Sequence, residues 1–573
     1  MDKKQIAKII REMGIMLEIS GENPFKVRAH ENAARIIEGL SEDLSSLVEN
    51  GELINIKGIG EAMARKVETL VKTGELPAYE KLRKSIPGGL LDMLQIQRFG
   101  PKKIKAVWEK LGVTSVDELE KAGRENRLAD LPGFGNKTQE KILANIELNR
   151  KFSERHRISE AWEFAQKLFE GLREFPGVIC CEVAGSLRRW RETVKDIDLL
   201  VSATDNDKAK IMDHFTSLSD IISVTGKGVT KSSVILANGM NADLRIVSDA
   251  QFPYALHHST GSMEHNTAMR QYAKKIGLKM NEYGLFHENG GKIVCKDEAE
   301  IFANLKMEYI PPELRENMGE IEAARKKKLP KLIELKDIRG IIHVHSNYSD
   351  GLNSIEEMAK ACQRFGYEYL VICDHSKSSF YANGLQEERI KKQHAEIDQI
   401  NQTFDNFRIV KGIECDILSN GDLDYTDEVL ATFEVVVVSV HSNLAMNEKT
   451  ATNRILKAIQ NPFVTILAHP TGRLLLKREG YPLNHQEVIT AAAELGVSIE
   501  INAHPQRLDL DWRYVKYAKE KGVKISINPD AHRIEGYEDM NYGIGIARKG
   551  WLSKEDVLNT QSVENLLKFA QRR

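Results

Sequence analysis

Apolar residues in the first 150 positions recur with a spacing near 3.6, as at Ile6, Ile9, Ile10 and Met13 and again at Val67, Leu70 and Val71. This predicts an almost entirely helical region. Three glycine turns punctuate it: Lys57-Gly58-Ile59-Gly60, Arg98-Phe99-Gly100-Pro101 and Pro132-Gly133-Phe134-Gly135. Each precedes a helical pattern with Lys or Arg in its second turn, so one device is used three times. From about residue 178 the period changes to 2, which predicts strands over 178–184, 197–203, 234–236 and 244–247 and an α+β unit with a mixed sheet. Residues 306–338 hold Pro311-Pro312, a basic run at 325–328 and Pro330 with little strand character, and the major linker is expected there. After 340 seven apolar strand candidates end near Val344, Cys373, Ile413, Val440, Ala468, Ile501 and Ile527, with helical stretches between most of them. Seven such units in about 235 residues suit a closed βα barrel of parallel strands.

At 573 residues the chain exceeds what one hydrophobic core supports, so several domains are expected. A content of 42% hydrophobic and 29% charged residues excludes a disordered or fibrous chain. No apolar run approaches the ~18 residues of a spanning helix, and the start lacks a secretory apolar segment, so neither a membrane nor export is expected. Six cysteines without a CxxC pair fit a reducing cytoplasm. Formal net charge is −2, and residues 1–150 carry 25 Lys+Arg against 23 Asp+Glu. Bulk charge therefore gives no indication of nucleic acid, and local motifs must carry any such argument.

Histidine is 16 of 573 residues, yet it stands at five of the seven predicted strand ends after 340. His343 and His345 are two apart on the first strand, which would send both side chains to one face. His375, Glu414, His441, His469, Asp530 and His532 follow at later ends, with Asp350 in the first loop. Active sites of βα barrels are built at this face. One such histidine would more often be a core or surface residue; the set points to metal. Imidazoles with interspersed carboxylates suit Zn²⁺, Mn²⁺ or Fe²⁺, and nine donors exceed the needs of one ion, so two or three are expected. Clusters of this kind hydrolyse phosphate esters. The motifs HVHSNYSDG, CDHS, GIECDI, SVHS, AHP and NPDAH resemble the PHP (polymerase and histidinol phosphatase) family over residues 340–570 at all nine positions. That resemblance implies a seven-stranded βα barrel with a trinuclear centre.

In the middle region Gly185-Ser186-Leu187-Arg188-Arg189 follows one predicted strand and Asp196-Ile197-Asp198 begins the next. Carboxylates at i and i+2 of a strand share a face, where cations relieve their repulsion. Small residues at 185 and 186 let the backbone approach a triphosphate that Arg189 can neutralise. Asp243 supplies a third carboxylate from another strand, and two Mg²⁺ held by three aspartates form a clamp for in-line attack on phosphorus.

With Ser259-Thr260-Gly261-Ser262, Asn266, Arg270 and Met280-Asn281-Glu282-Tyr283-Gly284, residues 1–315 resemble family X DNA polymerases of the DNA polymerase beta type. The resemblance implies that Gly185, Ser186, Arg189 and Gly261 hold the incoming deoxynucleoside triphosphate, with Arg157 as a further phosphate ligand. It also implies that Asp196, Asp198 and Asp243 hold two Mg²⁺ and that Asn266 and Arg270 read the nascent pair. Lys66, six residues after Gly60, takes the place of that family's Schiff-base lysine for 5'-deoxyribose phosphate removal. His258-Ser259 replaces the family's aromatic pair, and Lys195 replaces a glycine before the two aspartates. The turns at Gly58, Gly60, Gly100, Gly133 and Gly135 are expected to grip DNA phosphates through backbone N–H groups.

The whole chain is similar to the bacterial-type PolX family. The expected layout is a helical DNA-binding, lyase-like domain (1–90), a second helix-hairpin-helix region (91–150), a nucleotidyltransferase palm (151–258), a nucleotide-selection subdomain (259–318), a linker (319–338) and the PHP barrel (339–573). The expected function is a gap-filling repair polymerase acting on gapped or nicked duplex DNA. Its barrel, loaded with Mn²⁺ or Zn²⁺, would remove 3' ends and cut at abasic sites. A monomer associated with a bacterial or archaeal nucleoid in the cytoplasm is expected. The competing readings make the barrel a scaffold only, or a small-molecule phosphatase.

Overall fold

The computed structural model describes residues 3–38, 44–56, 58–96 and 99–571, so Lys57 and Arg98 of the first two turns lie outside the described residues. The chain forms two compact units, Met1–Glu154 and Arg155–Arg573. Among the described residues no helix is long and apolar enough to cross a membrane.

The first unit is helical throughout its described part, from Lys3–Ile19 to Gly135–Ser153. The 3.6-residue stripe is its core: Ile6, Ile10, Met13, Val67 and Leu70 are buried together, with Ile9 and Val71 packed at the margin. The glycine turns set helix starts. Gly60 and Gly100 are extended N-caps of Glu61–Thr73 and Pro101–Leu111, whereas Gly58 and Gly133 take φ of +99° and +84°, where a side chain is strained.

In the second unit a five-stranded sheet runs in the order Val178–Val183, Asp196–Ala203, Asn241–Val247, Lys231–Leu236, Ile221–Lys227. Only the pair Asp196–Ala203 and Asn241–Val247 is parallel, so the sheet is mixed as expected. The edge strand Ile221–Lys227 was not expected; its residues are almost all exposed, and no half-buried alternation marks it. The helix Phe252–Thr260 runs through the expected boundary at 258/259, and Ser262 caps the next helix, Met263–Lys275, by accepting from the His265 N–H.

The segment 319–338, expected as a linker, is packed. It carries the helix Glu320–Arg325, buries Glu320 against His265, and pairs the Ile333 N–H with the Leu552 carbonyl. Beyond it seven parallel strands stand in chain order, from Gly340–Val344 to Ile525–Asn528, and a bridge between Val344 and Ala531 nearly closes the barrel. Six of these strands are buried on both faces along their whole length and Arg408–Asp416 nearly so, which is why they read as apolar runs without alternation.

A buried ion network fixes the segment after the palm. Glu298 accepts from Arg188 (2.8 Å) and from Arg315, whose guanidinium is wholly buried over the rings of Phe302 and Tyr309. Burial opposes ionisation of Glu298, but Arg315 and Arg188 hold its pKa at about 2. Arg315→Met should therefore destabilise the second unit by ~3–5 kcal/mol, because a buried carboxylate loses a partner; denaturant unfolding followed by tryptophan fluorescence measures it, and an unchanged midpoint would contradict the assignment.

Candidate metal centres

The parallel register sets Asp198 of one palm strand directly beside Asp243 of the next. Asp196, two residues earlier, shares the face of Asp198. Asp243 accepts from the Ser233 hydroxyl (2.6 Å) and pairs with Lys231 (2.8 Å). Gly185 has φ +65°, and a Cβ there would lie 2.0 Å from Asp198 Oδ2, so only glycine lets the turn close over the carboxylate. Burial and the neighbouring Asp196 and Asp243 push Asp198 up to about 6, and burial with Asp243 also raises Asp196. Three crowded carboxylates, with Asp196 and Asp198 raised in proton affinity, are the donor set that a divalent cation satisfies.

Ser186, Arg189 and Asp196 line a cavity of about 530 Å³, while Asp198 and Asp243 line a second of about 290 Å³ with Lys231, Arg245 and His258. Arg189 donates to the Thr260 carbonyl (2.7 Å) and to Glu316 (3.0 Å). Arg157 is turned to Glu160 and is absent from the first cavity; Arg155, two residues earlier, lines it. Asn266 braces the turn, its amide donating to the carbonyls of His258 (2.7 Å) and Gly261 (3.1 Å), and a Cβ on Gly261 would meet it at 2.5 Å. Arg270 lines a separate cavity of about 660 Å³ with Lys274 and Asn281.

At the barrel mouth all nine expected donors converge. They form four overlapping groups whose ligand atoms lie within 4.8 Å of one another: His343, His469 and Asp530; His343, His345 and Glu414; His375, Glu414 and His441; and His345, Asp350, His375 and His532. Glu414 is central, with nitrogens of His375, His469, His343 and His441 at 2.8, 3.0, 3.3 and 3.4 Å. His343 and His345 do converge, but not through a regular strand: the register shifts between Ile341 and Val344, and His343 takes φ +64°. Asp530 (φ +52°) and His469 (φ +25°) are also left-handed, at a cost of roughly 1–3 kcal/mol each, which marks ligands aimed by the surrounding fold.

His343 Nε2, both nitrogens of His345 and Glu414 Oε2 are buried without a hydrogen-bond partner. Unsatisfied donors of these types, with carboxylates shared between groups, fit two or three divalent ions. Burial and the cations His532 and His375 pull His345 down to about 3, the neutral form a metal requires. Burial alone would lower His532, but Asp350 and Asp530 lift it to about 9.

The CDHS motif holds Asp374, but the sequence reading missed the other residues behind the ligands. Glu500, fully buried, lies 2.6 Å from His343 Nδ1 and accepts from the His469 N–H. Asp416 lies 3.0 Å from His441 Nδ1, and Asp374 accepts from Ser346, Ser349 and Gln393. Arg507 approaches Asp530 at 3.4 Å. A buried Glu in the apolar strand Ser498–Asn502 was a legible signal; Arg507 had none.

Because folding lifts the Asp198 pKa, its ionised form opposes the fold at neutral pH, a penalty absent below about pH 4. Asp198→Asn should stabilise the ion-free protein at pH 7.5 by ~1–3 kcal/mol and shrink the stabilisation given by Mg²⁺; thermal melts with and without Mg²⁺ check both, and an equal Mg²⁺ effect in the variant would remove Asp198 from the ion site.

Comparison with known proteins finds four family matches along the chain. A helix-hairpin-helix domain matches residues 1–76, a SAM-like helix-hairpin-helix tandem 90–147, the DNA polymerase beta thumb 255–316 and the PHP domain 342–504. The DNA polymerase/3'-5' exonuclease PolX of Bacillus subtilis (strain 168) is 41% identical over the full length of both chains. DNA polymerase lambda of Rattus norvegicus is 23% identical over 40% or so of each chain. A probable phosphatase of Thermoanaerobacter sp. (strain X514) is 25% identical over 40% of this chain and 95% of its own. The chain belongs to the PolX family, in which a family X polymerase is joined to a PHP barrel.

Proposed function

We propose that the protein is a DNA-directed DNA polymerase that fills short gaps during repair and trims 3' ends with its barrel. The observation that carries this reading is the presence, in one compact unit, of the carboxylate trio under Gly185 and the nine-donor cluster at the barrel mouth. The full-length likeness to the Bacillus polymerase/exonuclease supports it. Asp196, Asp198 and Asp243 hold two Mg²⁺, and Ser186 and Arg189 bind the triphosphate of the incoming deoxynucleotide. When bound, those ions supply charge stabilisation to the attacking and leaving oxygens. The backbone N–H groups at Gly58, Gly60, Gly100, Gly133 and Gly135 bind DNA phosphate, and open space around the last four supports close approach of a strand. The substrate is gapped or nicked duplex DNA, and the protein works as a monomer at the nucleoid; six cysteines, none of them paired, suit the cytoplasm.

In the barrel Glu500 and Asp416 fix the Nδ1 sides of His343 and His441, so that their Nε2 atoms, facing Glu414, would hold the ions. Mn²⁺ or Zn²⁺ suits this imidazole-rich set better than Mg²⁺ and, when bound, supplies Lewis-acid stabilisation and a water made nucleophilic at neutral pH. Arg507 places a cation beside the cluster that can meet a phosphate. The barrel also cuts at abasic sites in this reading.

Asp198→Ala should remove primer extension in a one-nucleotide gap, by at least ~10³-fold, while sparing 3'-end hydrolysis. His345→Ala and His469→Ala should do the reverse. Extension retained by Asp198→Ala would overturn the palm assignment. Release of phosphate from sugar phosphates with intact DNA ends would favour the phosphatase reading that the Thermoanaerobacter likeness raises.

A specific observation favours a lyase step as well. Lys66 Nζ lies 2.7 Å from His30 Nε2 in a cavity of about 420 Å³ lined also by Lys26 and Lys81. Burial and then Lys26 lower its pKa, a shift in the direction that a nucleophilic amine needs. Borohydride should trap the wild type on DNA bearing a 5'-deoxyribose phosphate, and Lys66→Ala should lose most of that adduct; equal trapping by the variant excludes Lys66.

A further inference from the structure

The cavity that holds Ser186, Arg189 and Asp196 is not built by the palm alone. Trp512 and Arg513, the first residues of the barrel helix Trp512–Glu520, form part of its wall. Five basic residues line it, Arg155, Arg189, Arg191 and Lys195 from the palm and Arg513 from the barrel, against the acidic Asp196, Glu264 and Glu316. With Asp196 assigned to a cation, the surplus positive charge suits a polyanion.

Trp512 is 4% exposed, and its indole N–H donates to Glu192 at 3.0 Å. Three cations stand over its ring: Lys549 at 4.4 Å, Arg513 at 5.2 Å and Arg191 at 5.5 Å from the centroid. Asp511 caps the helix by accepting from the Arg513 N–H and also pairs with its Nη1 (2.5 Å), while Nη2 is 3.4 Å from Glu192. The Arg513 side chain is nonetheless 49% exposed, and these pairings leave part of its five-donor fork for an anion. Lys549, with a wholly buried side chain, reaches from the barrel to the Arg189 carbonyl (2.9 Å) and to Glu316 (2.6 Å), the carboxylate that also holds the Arg189 guanidinium.

We propose that the barrel completes the polymerase's nucleotide site: Arg513 contacts the polyphosphate of the incoming nucleoside triphosphate, and Trp512 is a positioning residue that keeps Arg513 and Arg191 on the cavity wall. The inference rests on the reading of Asp196, Asp198 and Asp243 as the polymerase centre. A guanidinium aimed at phosphate binds substrate and departing pyrophosphate alike, so it acts on affinity more than on the chemical step.

The test is steady-state gap filling by the full chain. Arg513→Ala should raise the KM for deoxynucleoside triphosphate about tenfold and the inhibition constant of inorganic pyrophosphate in parallel, with kcat changed less than about threefold. Arg513→Lys should recover part of the KM. Affinity for gapped DNA and 3'-end hydrolysis should stay at the wild-type level. An unchanged KM overturns the proposal, and so does a loss of DNA affinity that matches the rise in KM, since the phosphate contacted would then be the DNA's. Asp198→Ala run beside it separates the two failures: extension by that variant overturns the palm reading, whereas its inactivity with a normal KM in Arg513→Ala overturns only the role of the barrel.

Discussion

Glu316 is the constraint on which the second unit turns. It is a buried carboxylate that three cations from different parts of the fold must neutralise: Arg189 and Arg191 of the palm and Lys549 of the barrel. Burial opposes its charge, and Lys549, Arg189 and Arg191 together outweigh that cost and hold its pKa below the ordinary range. The burden falls on Lys549, which burial pulls to about 8 even with Glu316 against it. A carboxylate left here without its partners would be strongly destabilising, so palm and barrel are held to one geometry by charge as well as by packing. The packing is tight where it occurs: a Cβ on Gly545 of the barrel would lie 2.0 Å from the Trp190 ring.

The two metal centres handle crowded charge in opposite ways. The palm buries like charges together, so burial first and then the neighbouring aspartates raise both Asp196 and Asp198. The barrel interleaves imidazoles with carboxylates, so that against the cost of burial His343 is raised while Glu414 and Asp530 are depressed, yet His343 Nε2 and Glu414 Oε2 keep no hydrogen-bond partner. The palm site offers oxygen donors alone and the barrel site a nitrogen-rich set, so the two would favour different divalent ions.

Much of this was legible before the fold was seen, for identifiable reasons. Barrel strands buried on both faces read as short apolar runs, and their observed ends fall within about three residues of those expected. Chemistry carried by a local spacing was legible too: the aspartates two apart on a strand and the glycine turns. His343 and His345 were paired by an argument from regular pleating that the structure does not follow, and they meet because the fold bends the chain there. The strand Ile221–Lys227 escaped because an exposed edge has no buried face to imprint a period. That Arg155 and not Arg157 lines the cavity is a difference of two residues, finer than any motif resolves. Glu500, Lys549 and Trp512 act through partners 157, 233 and 320 positions away, and no local pattern encodes such distances.

The same long-range contacts constrain how two activities share one 3' end. If the first turn of a barrel helix walls the nucleotide cavity, the barrel cannot swing aside to expose its own mouth without opening that cavity and unpairing Glu316. The ion pairs at Glu316 and the Trp512 indole bonded to Glu192 make such opening costly, which favours movement of the DNA end over movement of the domains. A frayed terminus a few nucleotides long is flexible and highly charged, and a fixed separation between the two centres gives it a fixed effective concentration at each. Partition between extension and removal is then set by how readily the terminal pair unstacks, a property of the DNA. Mispaired and damaged ends unstack more easily than matched ones, so a rigid arrangement would favour their reaching the barrel with no conformational signal required.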